Sequence, residues 1–160
     1  MKLHINDLFM LDTDSRAILR HLQIDPSLTA PDLAALTGLS AGRVARRLEK
    51  LAADGILLGQ VAVIDWAALG YAVQVSLRVT LDKTVSRAFD DFLVAARMVP
   101  EVLEIQTFLG RVDVRLSLVA RDLAHYQQIY RDQVLTLPHI ADIEALMTVA
   151  HIKSDRVLPL

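Results

Sequence analysis

Four cations recur at helical spacing in the first third of the chain: Arg43, Arg46, Arg47 and Lys50. At roughly 100° per residue they share one stripe, and Val44, Leu48 and Leu51 form a second, apolar one roughly a third of a turn away. Such cations neutralise phosphates, and an arginine can fork onto a guanine edge, so the stripe suits duplex DNA. Basic residues on a helix are more often a plain solvated face, so the setting has to decide. Thr29 followed by Pro31 and Asp32 reads as a helix start, with a hydroxyl cap, an early proline and a carboxylate three residues on. Gly38 stops that helix, Ser40 caps a second one running to about Asp54, and Gly55 closes it. Two short capped helices across a Gly-Leu-Ser turn make a helix-turn-helix, whose second helix enters the major groove. Arg43, nearest the start of that helix, is the candidate base reader, while Arg46, Arg47 and Lys50 position the complex. Ala41 and Gly42 leave room for close approach of the backbone, and Ser40 or Thr29 could donate to phosphate.

A second chemical candidate is the run Gly110-Arg111-Val112-Asp113. A tight turn at glycine exposes backbone N–H groups suited to a carboxylate, and Asp113 could hold an ammonium, which together would grip an amino acid. The plainer reading is a hairpin turn with Asp113 paired to Arg111 or Arg115. His4, His21, His125, His139 and His151 show no metal-ligand spacing, so no metal site is expected. There is no cysteine, which excludes disulfides, thiol nucleophiles and cysteine-ligated zinc. No nucleophile elbow, phosphate loop or dinucleotide fingerprint is present, so neither catalysis nor a cofactor is expected. The net charge is −2, and residues 1–55 hold seven basic and seven acidic residues, so any attraction to nucleic acid must be local. The opening stretch is too acidic and its apolar run too short for a signal peptide, and no run of about eighteen apolar residues could span a membrane. A soluble cytoplasmic protein is expected.

The elements that must position these residues fall into two groups. Asp12 caps a helix to about Gln23 with Ile18, Leu19 and Leu22 inward, which with the hairpin of helices makes a tri-helical head. Ile56 to Ile64 is β-rich and reads as a wing or hinge strand, and Trp66 reads as a packing anchor at the junction. From Val73 to Leu81 apolar and polar residues alternate strictly, as in a half-buried strand. A helix is predicted from Thr84 to Met98 with Phe89, Phe92, Leu93 and Ala96 on its buried face. Strands at Val102–Leu109 and Val112–Ala120 form a hairpin. A helix capped by Asp122 follows, burying Leu123, Tyr126, Tyr130, Val134 and Leu137, and a last strand runs from Ile140 to about Ile152. The fold class is therefore α+β: a winged helix-turn-helix domain over residues 1–62, a hinge over 63–72, and a ferredoxin-like βαββαβ domain over 73–160. Its helices cover one sheet face. Leu103, Ile105, Phe108, Leu146 and Ile152 leave apolar residues on both sides of strands two and four, and with 53% hydrophobic residues this predicts that a second subunit covers the other face.

Four stretches in this order, LDTDSRAILRHLQ, LAALTGLSAGRVARRLEKLAADGIL, VPEVLEIQTFLGRVDV and YRDQVLTLPHIADI, resemble the Lrp/AsnC family of leucine-responsive, feast/famine transcription regulators. The resemblance runs from about Leu11 to the end. It implies a sequence-specific regulator of double-stranded DNA, dimeric through its C-terminal sheet and assembling to tetramers or octamers, with a small effector, usually an amino acid, between C-terminal domains. It carries the effector role to Leu109, Gly110, Arg111, Val112, Asp113 and His139. The chain departs from the family pattern at Val114, where tyrosine is commoner, and at Arg111, often acidic. The alternative function is an architectural protein that organises DNA around an oligomer with little effector control.

Overall fold

The computed structural model describes residues 11–153 and 157–160; His4 and the rest of the opening stretch before Leu11 lie outside them. The chain divides into two units at Val63/Ile64.

Among its described residues the first unit holds three helices: α1 (Thr13–Leu22), α2 (Ala30–Thr37) and α3 (Ala41–Ala53). Their starts follow the caps written in the sequence. Asp12 Oδ1 accepts from the Ser15 N–H at 2.9 Å, Thr29 and Asp32 form a reciprocal capping box, and Ser40 Oγ accepts from the Arg43 N–H. Gly38 ends α2 at φ +72, a left-handed conformation that glycine adopts at least cost. The core is Ile18, Leu22, Leu33 and Val44, with Leu28, Leu39, Leu48 and Leu57 packed around it.

Ile56–Ile64 forms no strand in this chain. Leu57 reaches the helical core, but Leu58, Val61 and Val63 are exposed, because an isolated strand has no ladder to satisfy its backbone groups. The tail, assigned by sequence to the second domain, instead belongs with the first unit at residues 157–160. Gln23 clamps Leu158 through both its backbone N–H and its carbonyl, and Arg20 donates to the Leu160 carbonyl at 2.8 Å.

The second unit is a four-stranded antiparallel sheet in the order β2-β3-β1-β4, formed by β1 (Val73–Leu81), β2 (Val102–Thr107), β3 (Val114–Ala120) and β4 (Ile140–Met147). The predicted βαββαβ order holds, with α4 (Ala88–Ala96) and α5 (Leu123–Ile129) between strands. Alternate residues Val75, Leu77, Val79 and Leu81 of β1 and Val114, Leu116, Leu118 and Ala120 of β3 share one core with Phe92, Ala96, Tyr126 and Ile129.

Several elements are shorter than predicted. The helix after β1 begins at Ala88 rather than Thr84, so its inward stripe is Ala88, Phe92 and Ala96, and Phe89 is rotated out to solvent. The helix after β3 passes into a π-helical stretch at Tyr130–Val134, and Leu123 at its first turn is exposed. β4 ends at Met147, leaving Ile152 exposed beyond it.

The open sheet face is more polar than expected. Arg78 meets Glu144 at 3.5 Å and Arg115 meets Glu104 at 3.6 Å, while Leu103, Phe108 and Leu146 are exposed at its margins. Trp66 is exposed, its carbonyl closing a turn with the Leu69 and Tyr71 N–H groups. Among the described residues no helix is long and apolar enough to cross a membrane, and no cluster of metal-ligand type occurs.

Candidate nucleic-acid interface and effector loop

Helix α3 buries Val44 and Leu51 against its neighbours, which turns Arg43, Arg46, Arg47 and Lys50 outward around one open depression. The four predicted cations are thus brought together. By sequence Arg46 or Arg47 could equally pair with Glu49 or with acids of the second domain, and the structure gives other partners. Arg43 is paired with Asp14, and Arg47 with Asp12 at 2.9 Å and Asp14 at 3.9 Å, both acids coming from the start of α1. Lys50 reaches Asp54 one turn on at 2.8 Å. Among the described residues Glu49, the one acid within α3, takes no part in these pairs. Folding α1 against α3 is what delivers the carboxylates, and no spacing within α3 signals it.

Ala41 and Gly42 lie exposed at the first turn of α3. A Cβ built on Gly42 meets nothing within 4 Å, and its φ is not positive. The fold itself therefore has no need of glycine here, and an alanine would suit the helix better. Ser40 and Thr29 accept as caps; the Thr29 hydroxyl donates to Asp32 and so is taken, whereas the Ser40 cap leaves its O–H to donate to phosphate.

In the second unit, Leu109–Val112 form an exposed loop whose ends are closed by the Phe108 N–H on the Asp113 carbonyl at 2.9 Å. Gly110 has neither a positive φ nor any atom within 4 Å of a built Cβ, so the turn does not require it either. Asp113 is buried. Its Oδ2 accepts from the Leu81 N–H at 2.9 Å, at a register shift in β1, and its Oδ1 pairs with the Lys83 ammonium. The partner is neither Arg111 nor Arg115. The Lys83 hydrogen bond, followed by that from Leu81, holds the Asp113 carboxyl below the usual range against the opposing effect of burial.

His139 adopts φ +63, a left-handed conformation uncommon outside glycine though less rare for histidine. Its carbonyl accepts from the Asp82 N–H at 2.9 Å, and its Nε2 lies 3.3 Å from Asp91 Oδ2. Residues 81–83 are therefore the junction that ties Asp113 and His139 to one end of the sheet. Sequence reasoning had named Asp113 and His139 but not Leu81, Asp82 or Lys83.

Comparison with known proteins bears on both units. Residues 74–158 match the Lrp/AsnC ligand binding domain, and residues 11–57 match a winged helix-turn-helix DNA-binding domain. The chain belongs to the Lrp/AsnC family. Among curated relatives of this regulator is a glutamate uptake regulatory protein of Zymomonas mobilis, 29% identical over 94% of this chain and 91% of its own. A proline dehydrogenase transcriptional activator of Rhodobacter capsulatus is 30% identical over 82% of this chain and 86% of its own. A Neisseria meningitidis transcriptional regulator, solved in complex with L-methionine, superposes with a TM-score of 0.87 at 27% identity, over 94% of this chain and 97% of that one. The relatives are DNA-binding transcription regulators rather than enzymes. This Lrp/AsnC chain is thus a DNA-binding transcription regulator, with a ligand-binding domain built on the βαββαβ sheet.

Proposed function

We propose that this regulator grips duplex DNA through the outer face of α3, and that a small amino acid bound at the Leu109–Asp113 loop sets its output. The observation that carries the DNA reading is the convergence of Arg43, Arg46, Arg47 and Lys50 on one open depression along the outer face of α3. For the effector, support comes from the L-methionine complex of the Neisseria relative and from the exposed backbone of Leu109, Gly110 and Arg111. Asp113 is committed to Lys83 and Leu81, so it acts by holding the loop's base, while Arg111 and the loop N–H groups receive a carboxylate. No further cofactor enters the proposal. The working form is a cytoplasmic homodimer or a higher homo-oligomer, joined through the second unit, which presents paired copies of α3 to a palindromic site.

Genome-wide footprinting in the presence and absence of an amino-acid panel tests this reading. Footprints at discrete sites that respond to one amino acid are expected. Closely spaced footprints indifferent to every amino acid would instead make this an architectural DNA-organising protein.

A further inference from the structure

We infer that Asp14, backed by Asp12, is a specificity determinant of the DNA interface: the two carboxylates neutralise Arg43 and Arg47, so that undirected attraction to phosphate stays weak. The inference rests on the reading that α3 meets DNA.

The acids are built into position. Asp12 uses one oxygen to cap α1 through the Ser15 N–H, which fixes the other 2.9 Å from Arg47 Nη1. Asp14 is 19% exposed, and its Oδ2 is shielded from solvent and among the described residues accepts no hydrogen bond, so its charge is met only by the ion pairs with the two guanidinium groups. A carboxylate oxygen that water cannot reach depends on those cations, which favours persistence of the pairs. The arginines stay available, with Arg43 54% and Arg47 30% exposed.

A guanidinium holds five N–H donors in a rigid fork, and a carboxylate occupies only one or two of them. The remaining donors can still meet base-edge acceptors, in a direction the acid has fixed. What the pairing removes is net charge, and net charge is what a random stretch of DNA rewards through counterion release. Among the described residues Arg46 has no acidic partner, and Lys50 is held only by an exposed pair one turn away. Undirected binding therefore falls mainly to those two cations, whereas Arg43 and Arg47 contribute chiefly where their oriented donors find acceptors.

The test uses the full chain and its Asp14→Asn, Asp12→Asn and Arg46→Ala variants. Binding is measured across a salt series on a random-sequence duplex and on a pool that the wild type has enriched from a random library. Asp14→Asn should bind the random duplex on the order of tenfold tighter at about 0.1 M salt, and its log–log salt slope should steepen by about one. Its preference for the enriched pool should shrink correspondingly. Asp12→Asn should move the same way by less, and asparagine still caps a helix, so this variant separates charge from folding. A folded Asp14→Asn protein with wild-type slope and wild-type affinity for random DNA overturns the inference. Should Asp14→Asn fail to fold, an unchanged slope in Asp12→Asn overturns it. If Arg46→Ala leaves binding to both DNAs unchanged, α3 is not the interface, and the inference falls with that reading rather than on its own terms.

Discussion

The head and the body each place a charge where the sequence reserved one for a ligand, and each already supplies it with a partner. In the head the ligand-facing groups are exposed cations, and the acids behind them come from a neighbouring helix. In the body the ligand-facing group by sequence, Asp113, is itself the buried member: its side chain is 11% exposed against 68% for Lys83. It also holds a backbone N–H that has no water to turn to. Against Asp14 the head's arginines are the solvent-facing members, and they keep guanidinium donors free while paired, so they can meet a phosphate or a base without giving up the acids. A buried carboxylate bonded to the backbone cannot turn to a ligand without stranding a donor. The head's charges are thus free to work on a ligand, and the body's are mainly structural.

Substitutions can break that contrast, the largest effect being expected in the body. Asp113→Ala should destabilise the second unit by about 1–3 kcal/mol, since it leaves the Leu81 N–H unsatisfied. Trp66 and all three tyrosines lie in this unit, so near-ultraviolet circular dichroism during urea unfolding reports on it directly. Lys83→Gln should cost no more than about 1 kcal/mol, because the lysine is the solvent-facing partner. Equal losses in the two variants would erase the distinction drawn here. The pH dependence has a definite sign. Lys83 and the Leu81 N–H lower the folded-state value of Asp113 below its ordinary one, so its stabilisation is fully present above about pH 4 and is lost as pH falls through the depressed value. Wild-type protein should therefore lose stability on acidification below about pH 4 more steeply than Asp113→Asn, followed by the same signal. The smallest effect belongs to the head. Gly42→Ala should stabilise the first unit by about 0.5–1 kcal/mol in a melt followed by far-ultraviolet circular dichroism, yet weaken DNA binding if the backbone approaches DNA there.

Legibility followed locality. The caps at Asp12, Thr29 and Ser40, the stop at Gly38 and the alternation through β1 are local signals, and each reappears in the structure. The face of α3 was equally readable, since Val44 and Leu51 had to turn inward. What the sequence could not disclose were partners distant along the chain. Asp14 lies 29 residues from Arg43, and Lys83 stands opposite Asp113 only because β1 and β3 are neighbours in the sheet. The strand expected at Ile56–Ile64 has the right residues but no ladder within this chain. Phe89 was misplaced because the inward stripe through Phe92 and Ala96 continues to Ala88, four residues before Phe92, and not to Phe89, three before it. The tail's return to α1 depends on Gln23, whose amide carries no signal for a distant partner.

The central claim is that the outer face of α3 is where this regulator meets DNA, with Arg46 its uncompensated cation among the described residues. The slope of log affinity against log salt for Arg46→Ala, set against wild type on one duplex, tests it most directly. A slope shallower by about 0.9, with weaker binding at every salt concentration, is the predicted result. An unchanged slope and affinity in a folded variant would contradict it.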